Sequence, residues 1–255
     1  MQTLPPTSAP QSMDSHEVLI WYIEPESIQD PVQLKHFFQW LSPDERAQHG
    51  RFRFDKHRHT YLISHALMRG ALSLITEVEP EKFSFTTNAY GKPFLTTPAQ
   101  QQTLHFNLSH TEGLAAVAIS RHTEVGVDVE NTQRQDMTQE LAEQFFAPEE
   151  CQAVAQASAH ERTIKMLEFW TLKESYIKAV GQGLSIALDS FAFKHATATQ
   201  PAHLIRLDGQ DANRKQWRFW QSQPTNHHLM ALGLKLDSSQ PLKVTARRAD
   251  WLAQA

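Results

Sequence analysis

The chain has 255 residues, of which 40% are apolar and 20% are charged, and its formal net charge is −4 at pH 7. This composition excludes a disordered, collagen-like or coiled-coil protein and gives no basic surface that would favour nucleic acid. Cys151 is the only cysteine, which excludes an internal disulfide and a cysteine-rich zinc site. The N-terminus lacks the pattern of a signal peptide, and the longest apolar run, Leu114 to Ile119, is too short to span a membrane. We therefore expect a soluble cytoplasmic protein.

The predicted elements fall into two series. Residues 1–16 are rich in Pro, Ser, Thr and Gln and predict a disordered leader. Residues 17–123 predict an N-terminal half with these elements: a strand over Val18 to Ile23, a helix capped at Ser42, a longer helix from Asp55 to before Pro80, and strands over Phe83 to Phe85, Leu104 to Leu108 and Leu114 to Ile119. Residues 124–255 predict a C-terminal half with strands over Glu124 to Glu130, Phe191 to Phe193, Trp217 to Gln221 and Leu229 to Leu236, and helices over Glu140 to Phe146, Pro148 to Ala157 and Glu161 to Val180. Because the order repeats, we expect an α/β (α+β) fold of two similar halves, although no sequence repeat is visible.

The segment Gly126-Val127-Asp128-Val129-Glu130 places two carboxylates on one predicted strand. Side chains alternate along a strand, so Asp128 and Glu130 share a face while the valines enter the core. Adjacent carboxylates repel each other unless a cation or a proton lies between them. The segment therefore indicates either a site for a hard ion, Mg²⁺ or Mn²⁺, or a solvent-facing edge strand with two unrelated acids.

The longest predicted helix carries Trp170, Glu174 and Lys178 at successive i, i+4 positions, and hence on one face. One interpretation is a surface Glu–Lys pair, with Trp170 as a core anchor. The other adds Glu174 to the two strand acids as a third metal ligand, with Lys178 holding a phosphate beside it.

Two further segments could bind an anion. The strand Phe106-Asn107-Leu108-Ser109-His110 ends in Ser and His, but neighbours on a strand point to opposite faces, which disfavours an acyl-transfer dyad. His110 is better interpreted as an anion ligand. The basic stretch Arg51 to His59 indicates either a phosphate site or a solvated helix start, with Phe52 and Phe54 in the core.

Four segments, taken in chain order, resemble the Sfp-type 4′-phosphopantetheinyl transferases. The resemblance extends from about Ser42 to Phe193, and the order and separation of the segments make it specific. The segments are Tyr90-Gly91-Lys92-Pro93, Phe106-Asn107-Leu108-Ser109-His110, Gly126-Val127-Asp128-Val129-Glu130, and Trp170-Thr171-Leu172-Lys173-Glu174-Ser175-Tyr176-Ile177-Lys178-Ala179 followed by Gly181-Gln182-Gly183-Leu184.

The resemblance implies two pseudo-symmetric halves with the active site in the cleft between them. It implies transfer of the 4′-phosphopantetheine arm of coenzyme A to a serine of an acyl or peptidyl carrier protein, with release of 3′,5′-ADP. Fatty-acid, polyketide and nonribosomal peptide pathways all use such carriers, and the sequence does not choose among them.

The resemblance also assigns roles to individual residues. Asp128, Glu130 and Glu174 would bind Mg²⁺, with Mn²⁺ as the alternative. Glu174, as the base for the carrier serine, and Lys178, on the pyrophosphate, would be the catalytic residues. His110 would face the 3′-phosphate, and the residues expected to contact the coenzyme are Lys56, Arg58, Gly91, Lys92, Pro93, Asn107, Ser109, His110, Asp128 and Lys178.

One departure and two rival functions accompany this interpretation. Some members of the family carry two lysines where this sequence has Glu45 and Gln48, so the 3′-phosphate would depend on His110 with Lys56 or Arg58. The same three acids could serve a metal-dependent nucleotide pyrophosphate hydrolase. A non-catalytic carrier-protein or nucleotide-binding module is less compatible, because pure binding does not need all three acids. We expect no nucleic-acid or membrane partner, and the two internal halves predict a monomer.

Overall fold

The computed structural model describes residue 13 and residues 17–97, 103–121, 123–134, 136–197, 199–208, 211–236 and 242–255, without the side chains of 211–213. The predicted leader, residues 1–16, therefore lies outside the described residues apart from Met13. Among the described residues, no helix has both the length and the apolar character needed to cross a membrane.

Helices and strands are both abundant in the described part of the chain, which confirms the predicted α/β fold. In chain order they are β1 (Glu17–Ile23), α1 (Pro31–Trp40), α2 (Pro43–Arg51), α3 (Asp55–Thr76), β2 (Ser84–Thr87), β3 (Pro93–Thr97), β4 (His105–Thr111), β5 (Leu114–Ser120), β6 (Val125–Asn131), α4 (Gln139–Phe145), α5 (Pro148–Gln156), α6 (Arg162–Val180), β7 (Phe191–Lys194), β8 (His203–Leu207), β9 (Trp217–Thr225), β10 (His228–Lys235) and β11 (Lys243–Arg248).

The elements predicted from periodicity and capping are present, with ends shifted by a few residues. Ser42 caps α2 as expected: its hydroxyl accepts the backbone N–H of Glu45, and the Glu45 carboxylate accepts the backbone N–H of Ser42. The predicted elements do not include α1, β3, β8 or β11. The signal for α1 was available, since Asp30 caps it and Pro31 is its first residue.

The described chain separates into two compact units, each with its own core. The first contains the described residues up to Thr87, those from Pro93 to 121, and 242–255; the second contains Asn88–Lys92 and 123–236. This division differs from the predicted ranges 17–123 and 124–255 in two segments. Strand β11 pairs with β1, far away in sequence, and the turn Asn88–Lys92 bonds to the C-terminal end of α6.

In the first unit, a four-stranded sheet has the order β11-β1-β5-β4. Strands β1 and β11 are parallel, whereas β1–β5 and β5–β4 are antiparallel. Strand β5 is buried along its whole length, and α3 packs against it with Ala66, Leu67 and Ala71 fully buried. This α/β layer positions His110 at the end of β4.

In the second unit, a three-stranded antiparallel sheet has the order β6-β10-β9, and α6 packs on β6 and β10. The core below α6 is aromatic: the Tyr176 ring lies 4.7 Å from both the Phe191 ring and the Trp217 ring. Helix α6 ends at Gly181, whose φ of 76° is the left-handed conformation that glycine adopts without strain. This packing fixes the face of α6 that carries Glu174 and Lys178.

Candidate active site

Strand β6 turns its two acids toward helix α6. Gly126 lies two residues before Asp128, and a Cβ atom there would stand 2.1 Å from the carbonyl oxygen of Ser175 and 2.3 Å from the amide nitrogen of Ala179. Only glycine permits this approach of strand and helix backbones. Because alternate residues of a strand share a face, Asp128 and Glu130 are directed to the same side. The face that the two acids share is therefore the face of β6 that lies against α6.

The alternative of a solvent-facing edge strand is wrong for β6. Its residues from Val125 to Glu130 are all buried, and only 4% of Asp128 and 9% of Glu130 is exposed. Strand β6 lies at the edge of its sheet, but α6 covers the face that would otherwise be exposed to water. Burial of two neighbouring carboxylates requires nearby positive charge, because a desolvated ion without a partner is costly.

Two side chains of the second unit supply that positive charge. The Lys178 ammonium lies 2.6 Å from Asp128 Oδ1, which joins α6 to β6. The Arg134 guanidinium donates from Nη1 to Glu130 Oε1 at 2.6 Å. The predicted site residues include Lys178 but not Arg134, because i, i+4 spacing indicates a contact on a helix and Glu130 lies on a strand.

The carboxyl groups of Glu130 and Glu174, both near Asp128, resist ionisation. Burial, followed by the nearby charge of Asp128, raises the pKa of Glu130 to about 7, although Arg134 opposes the shift. Burial and then Asp128 also raise the pKa of Glu174, against the effect of Lys178. The charge of Asp128 therefore acts on Glu174 as well as on Glu130.

The donor set fits a hard divalent cation. Three carboxylates supply only oxygen ligands, which Mg²⁺ and Mn²⁺ prefer. As the side chains stand, however, the described residues contain no group of three His, Cys, Asp or Glu close enough to hold a metal. Lys178 and Arg134 engage Asp128 and Glu130 instead, so a cation would have to exchange with or join these internal partners.

Lys173, immediately before Glu174, has a structural position. Its ammonium is fully buried, lies 2.8 Å from Glu150 Oε2, and donates to the carbonyl oxygens of Leu188 at 2.7 Å and Phe191 at 2.8 Å. These three partners fix the rotation of α6 about its axis. Lys173 thereby fixes the direction of the neighbouring Glu174.

The first unit contains a cavity of about 330 Å³ at the ends of α3 and β4. His110 and Lys56, both predicted coenzyme ligands, line it, and Lys56 also pairs with Glu112 at 3.4 Å. His57 and Thr60 also line the cavity and are not among the predicted site residues, although they lie on one helical face at i, i+3 spacing. The complete lining is Glu26, Phe52, Lys56, His57, Thr60, His110, Thr111 and Glu112.

Arg58, Asn107 and Ser109 are not among the lining residues of this cavity. Arg58 pairs with Asp55 and donates to the carbonyl oxygen of Phe52 at 2.6 Å, which fastens the start of α3. Asn107 and Ser109 are buried and alternate with the exposed His110 along β4, so they point to the other face of the sheet.

The turn that contains Gly91 and Lys92 is attached to the end of α6. Asn88 donates its side-chain amide to the carbonyl oxygen of Gly181 at 2.7 Å, and Lys92 donates to that of Ala179 at 2.9 Å. The Lys92 ammonium also pairs with Glu124, so its charge is partly used within the unit. Gly91 has a φ of 88°, which favours glycine in this turn.

Glu45 has a structural role at the position where some relatives carry a lysine. Its carboxylate lies 2.6 Å from Arg69, which is fully buried. Burial opposes ionisation of Glu45, but Arg69, together with His65 and the backbone N–H of Ser42, outweighs burial and lowers the pKa of the carboxyl below its usual value. Glu45 is therefore an anion in the core of the first unit and cannot replace a phosphate-binding lysine.

Comparison with known proteins identifies the family on both parts of the chain. Residues 29–122 match the family model of the N-terminal part of 4′-phosphopantetheinyl transferases, and residues 124–233 match that of the 4′-phosphopantetheinyl transferase superfamily. The transferase HetI of Nostoc sp. is 33% identical over 193 residues, which are 74% of this chain and 78% of that protein.

Two further relatives are also named 4′-phosphopantetheinyl transferases. The transferase gsp of Aneurinibacillus migulanus is 34% identical over 161 residues, or 62% of this chain and 65% of that protein. The transferase Sfp of Bacillus subtilis is 30% identical over 160 residues, or 63% of this chain and 69% of that protein. The chain therefore belongs to the 4′-phosphopantetheinyl transferase family, as its four segments predict, and is an enzyme that transfers phosphopantetheine to carrier proteins.

Proposed function

We propose that the enzyme uses coenzyme A as donor and a divalent cation, Mg²⁺ or alternatively Mn²⁺, and modifies a serine of an acyl or peptidyl carrier protein. The observation that supports the cation is the charge of the acid set. Asp128, Glu130 and Glu174 carry up to three negative charges, against the two positive charges of Lys178 and Arg134. Together with Asp136, the other partner of Arg134, the acids carry up to four negative charges against two positive charges, and one divalent cation would balance the difference.

The three acids would hold the cation through their carboxylate oxygens. When bound, the cation would stabilise negative charge on the pyrophosphate of coenzyme A. Lys178 would donate hydrogen bonds to the same pyrophosphate, since its ammonium already lies beside the acids. Transfer develops charge on phosphate oxygens, so fixed positive groups at this place would account for most of the acceleration.

Glu174 would take the proton of the carrier serine. Its raised pKa makes it a better proton acceptor than an ordinary carboxylate. Lys173 keeps its helix in one rotation, so the base does not depend on a flexible segment. The nucleophile belongs to the partner protein, which is why the chain needs no activated serine or cysteine of its own.

The cavity of the first unit would hold the 3′-phosphate. His110 and Lys56 are the cationic candidates, and His57 joins them as a third. Arg58 would support this site indirectly, by holding the start of α3 in place. Asn107 and Ser109 would do so by holding β4 in place. Gly91, Lys92 and Pro93 would line the adenine.

The decisive experiment is mass spectrometry of a panel of apo-carrier proteins incubated with the enzyme, coenzyme A and Mg²⁺. The mass of one phosphopantetheine arm should be added to at least one carrier. A nucleotide pyrophosphate hydrolase would instead release 3′,5′-ADP from coenzyme A without any carrier. Asp128→Asn and Glu174→Gln should each lower transfer at least about 100-fold while the folded state survives. Full activity of either variant would exclude the acid from the site.

The assignment of the 3′-phosphate is tested with a shortened coenzyme. His110→Ala should weaken binding of coenzyme A more than binding of 3′-dephospho-coenzyme A, as measured by calorimetry. Equal losses for both ligands would show that His110 does not contact that phosphate. His105→Ala, at the other end of the same strand and not among the residues that line this cavity, is a matched control for a general disturbance of β4.

We place the docking of the carrier protein at the end of α4. Phe146 is buried and packs on Phe169, whereas Phe145 is only half-buried, with its ring 6.2 Å from that of Trp170. Phe145→Ala should therefore raise the KM for the carrier and leave coenzyme A affinity unchanged. Phe146→Ala should lower the melting temperature instead. Equal losses of stability and of both substrate affinities in Phe145→Ala would remove this residue from the docking surface.

We also propose that the enzyme acts as a monomer in the cytoplasm. Light scattering coupled to size-exclusion chromatography checks the oligomeric state, and a mass of two chains would overturn the monomer.

A further inference from the structure

The Arg134 side chain links the acid set to an exposed carboxylate. Its Nη1 donates to Glu130 Oε1 at 2.6 Å, while its Nε and Nη2 each donate at 2.7 Å to the two carboxylate oxygens of Asp136. Only 11% of the Glu130 side chain is exposed, against 69% of that of Asp136. The guanidinium therefore lies between a buried site and the solvent.

The bidentate contact with Asp136 fixes the plane of the guanidinium. Two parallel N–H···O bonds leave little rotational freedom, so the remaining Nη1 donor has a set direction. That donor holds Oε1 of Glu130. One lone pair of Oε1 is then occupied, and a cation that binds Glu130 must bind next to a fixed positive charge.

The electrostatic consequence concerns cation affinity. Lys178 already neutralises Asp128, and Arg134 does the same for Glu130. A positive charge on a metal ligand repels the incoming divalent ion, whereas the negative charge of Asp136 offsets part of that repulsion. The two members of the Arg134–Asp136 pair thus act on the ion with opposite signs.

We propose that the Arg134–Asp136 pair sets the divalent-cation affinity of the acid set: Arg134 keeps the affinity for the free ion low, and Asp136 limits that effect. The inference depends on the proposed metal site. A cation held weakly in the free enzyme gains affinity when an anionic pyrophosphate adds negative charge. Cation and coenzyme therefore bind cooperatively.

The test is a titration of the full chain with Mn²⁺ alone, followed by electron paramagnetic resonance of the free ion at about pH 8.5. Carboxyl groups are ordinarily ionised at this pH. Arg134→Gln should tighten Mn²⁺ binding about fivefold, and Asp136→Asn should weaken it about threefold.

Arg206→Gln is the matched control. Arg206 makes a similar pair with Asp208 at 2.7 Å in the same unit, so its loss changes the net charge by the same amount away from the acids. Mn²⁺ affinity should not change in this variant. Melting curves identify any variant that fails to fold, and the exposed Asp136→Asn keeps the test available if Arg134→Gln is unstable.

The outcomes separate the inference from the function on which it rests. If the wild-type chain binds no Mn²⁺, the proposed metal site fails. If it binds Mn²⁺ but both variants shift the affinity in one direction, or neither shifts it, the pair is merely structural and the inference is overturned. Opposite shifts with an unchanged Arg206→Gln support it, because lost packing would weaken binding in both variants.

Discussion

Each of the two units buries one cation of its longest helix between the start of a shorter helix and two backbone carbonyls. In the first unit the cation is Arg69 of α3, which pairs with Glu45 of α2 and donates to the carbonyl oxygens of Pro80 and Phe83. In the second it is Lys173 of α6, which pairs with Glu150 of α5 and donates to those of Leu188 and Phe191.

Both glutamates also cap the helix in which they lie. Glu45 accepts the backbone N–H of Ser42, and Glu150 accepts that of Ala147, each three residues before it. The related sequences Ser42-Pro43-Asp44-Glu45 and Ala147-Pro148-Glu149-Glu150 are thus a short internal repeat. The repeat is not recognisable in the sequence because the cation that completes each pair lies more than twenty residues further along the chain.

The residue after each cation shows how a shared scaffold acquires function in one unit only. In α3 that residue is Gly70, where a Cβ would stand 2.6 Å from the Trp251 ring, so the position serves packing. In α6 it is Glu174, one of the three acids. We call the buried cation, its glutamate partner and the two backbone carbonyls the clamp of each unit. The clamp therefore orients a packing contact in the first unit and a candidate catalytic group in the second.

The largest expected effect comes from breaking the clamp of the second unit. Lys173→Met should lower the free energy of unfolding by about 4 kcal/mol, because it leaves the fully buried Glu150 without its cation. Arg69→Met should cost less, about 2 kcal/mol, because the Glu45 side chain retains 13% exposure. Urea unfolding measures both losses.

The pH dependence of Lys173→Met gives an independent check. Burial already raises the pKa of Glu150, and loss of Lys173 raises it further. A raised pKa in the folded state stabilises at low pH and loses that contribution as the pH rises. The penalty should therefore be smaller at about pH 5 than at about pH 8, and a pH-independent penalty would contradict this account.

The next effects are the losses of stability expected at two glycines, at each of which a long helix lies close to a neighbouring segment. Gly126→Ala should cost about 3 kcal/mol and most of the transfer activity, because its Cβ would meet the backbone of α6. Gly70→Ala should cost about 1 kcal/mol, because it meets the ring of Trp251, a half-buried side chain that can shift. Thermal melting and the carrier assay measure these changes.

Gly50→Ala is the control for these glycine variants. Gly50 lies inside α2, and nothing is within 4 Å of the added Cβ, so the variant should gain up to about 1 kcal/mol from helix propensity. A loss at Gly50 as large as that at Gly126 would show that close packing is not the cause.

A pH-dependent difference between the two units lies one turn before each cation. Four residues before Arg69 is His65, whose pKa burial lowers to about 4, whereas the same position before Lys173 is Phe169. A lowered folded-state pKa means that the unfolded chain binds more protons, so stability falls as the pH drops from about 6.5 to about 4. The loss attributable to His65 is about 3 kcal/mol at the lower limit.

His65→Phe makes the first unit resemble the second at this position. The slope of unfolding free energy against pH should decrease between about pH 6.5 and about pH 4. The measurement is chemical unfolding at a series of pH values, and an unchanged slope would show that His65 titrates normally.

The smallest expected effect concerns the helix caps. Ser42→Ala removes the hydroxyl that accepts the Glu45 N–H at 3.2 Å and should cost about 1 kcal/mol. The second unit already has alanine at the corresponding position, Ala147, where the glutamate half of the capping box is present without the side-chain half. A cost near zero would mean that the Glu45 half suffices in both units.

Much of the local structure was determined by the sequence itself. The Ser42 cap, the helical periodicity after Asp55 and the glycine that ends α6 depend on contacts within a few residues, so they are legible in the sequence. The alternation of β6 likewise placed Asp128 and Glu130 on one face, and the four segments indicated the family.

Only the tertiary structure decided what those side chains meet. Strand β11 pairs with β1 across more than two hundred residues, Lys173 is a structural cation beside a candidate base, and Arg134 engages Glu130. Arg58 turns away from the cavity that His57 lines. Such contacts depend on which surfaces fold against each other, and local propensity carries no information about partners so distant in the chain.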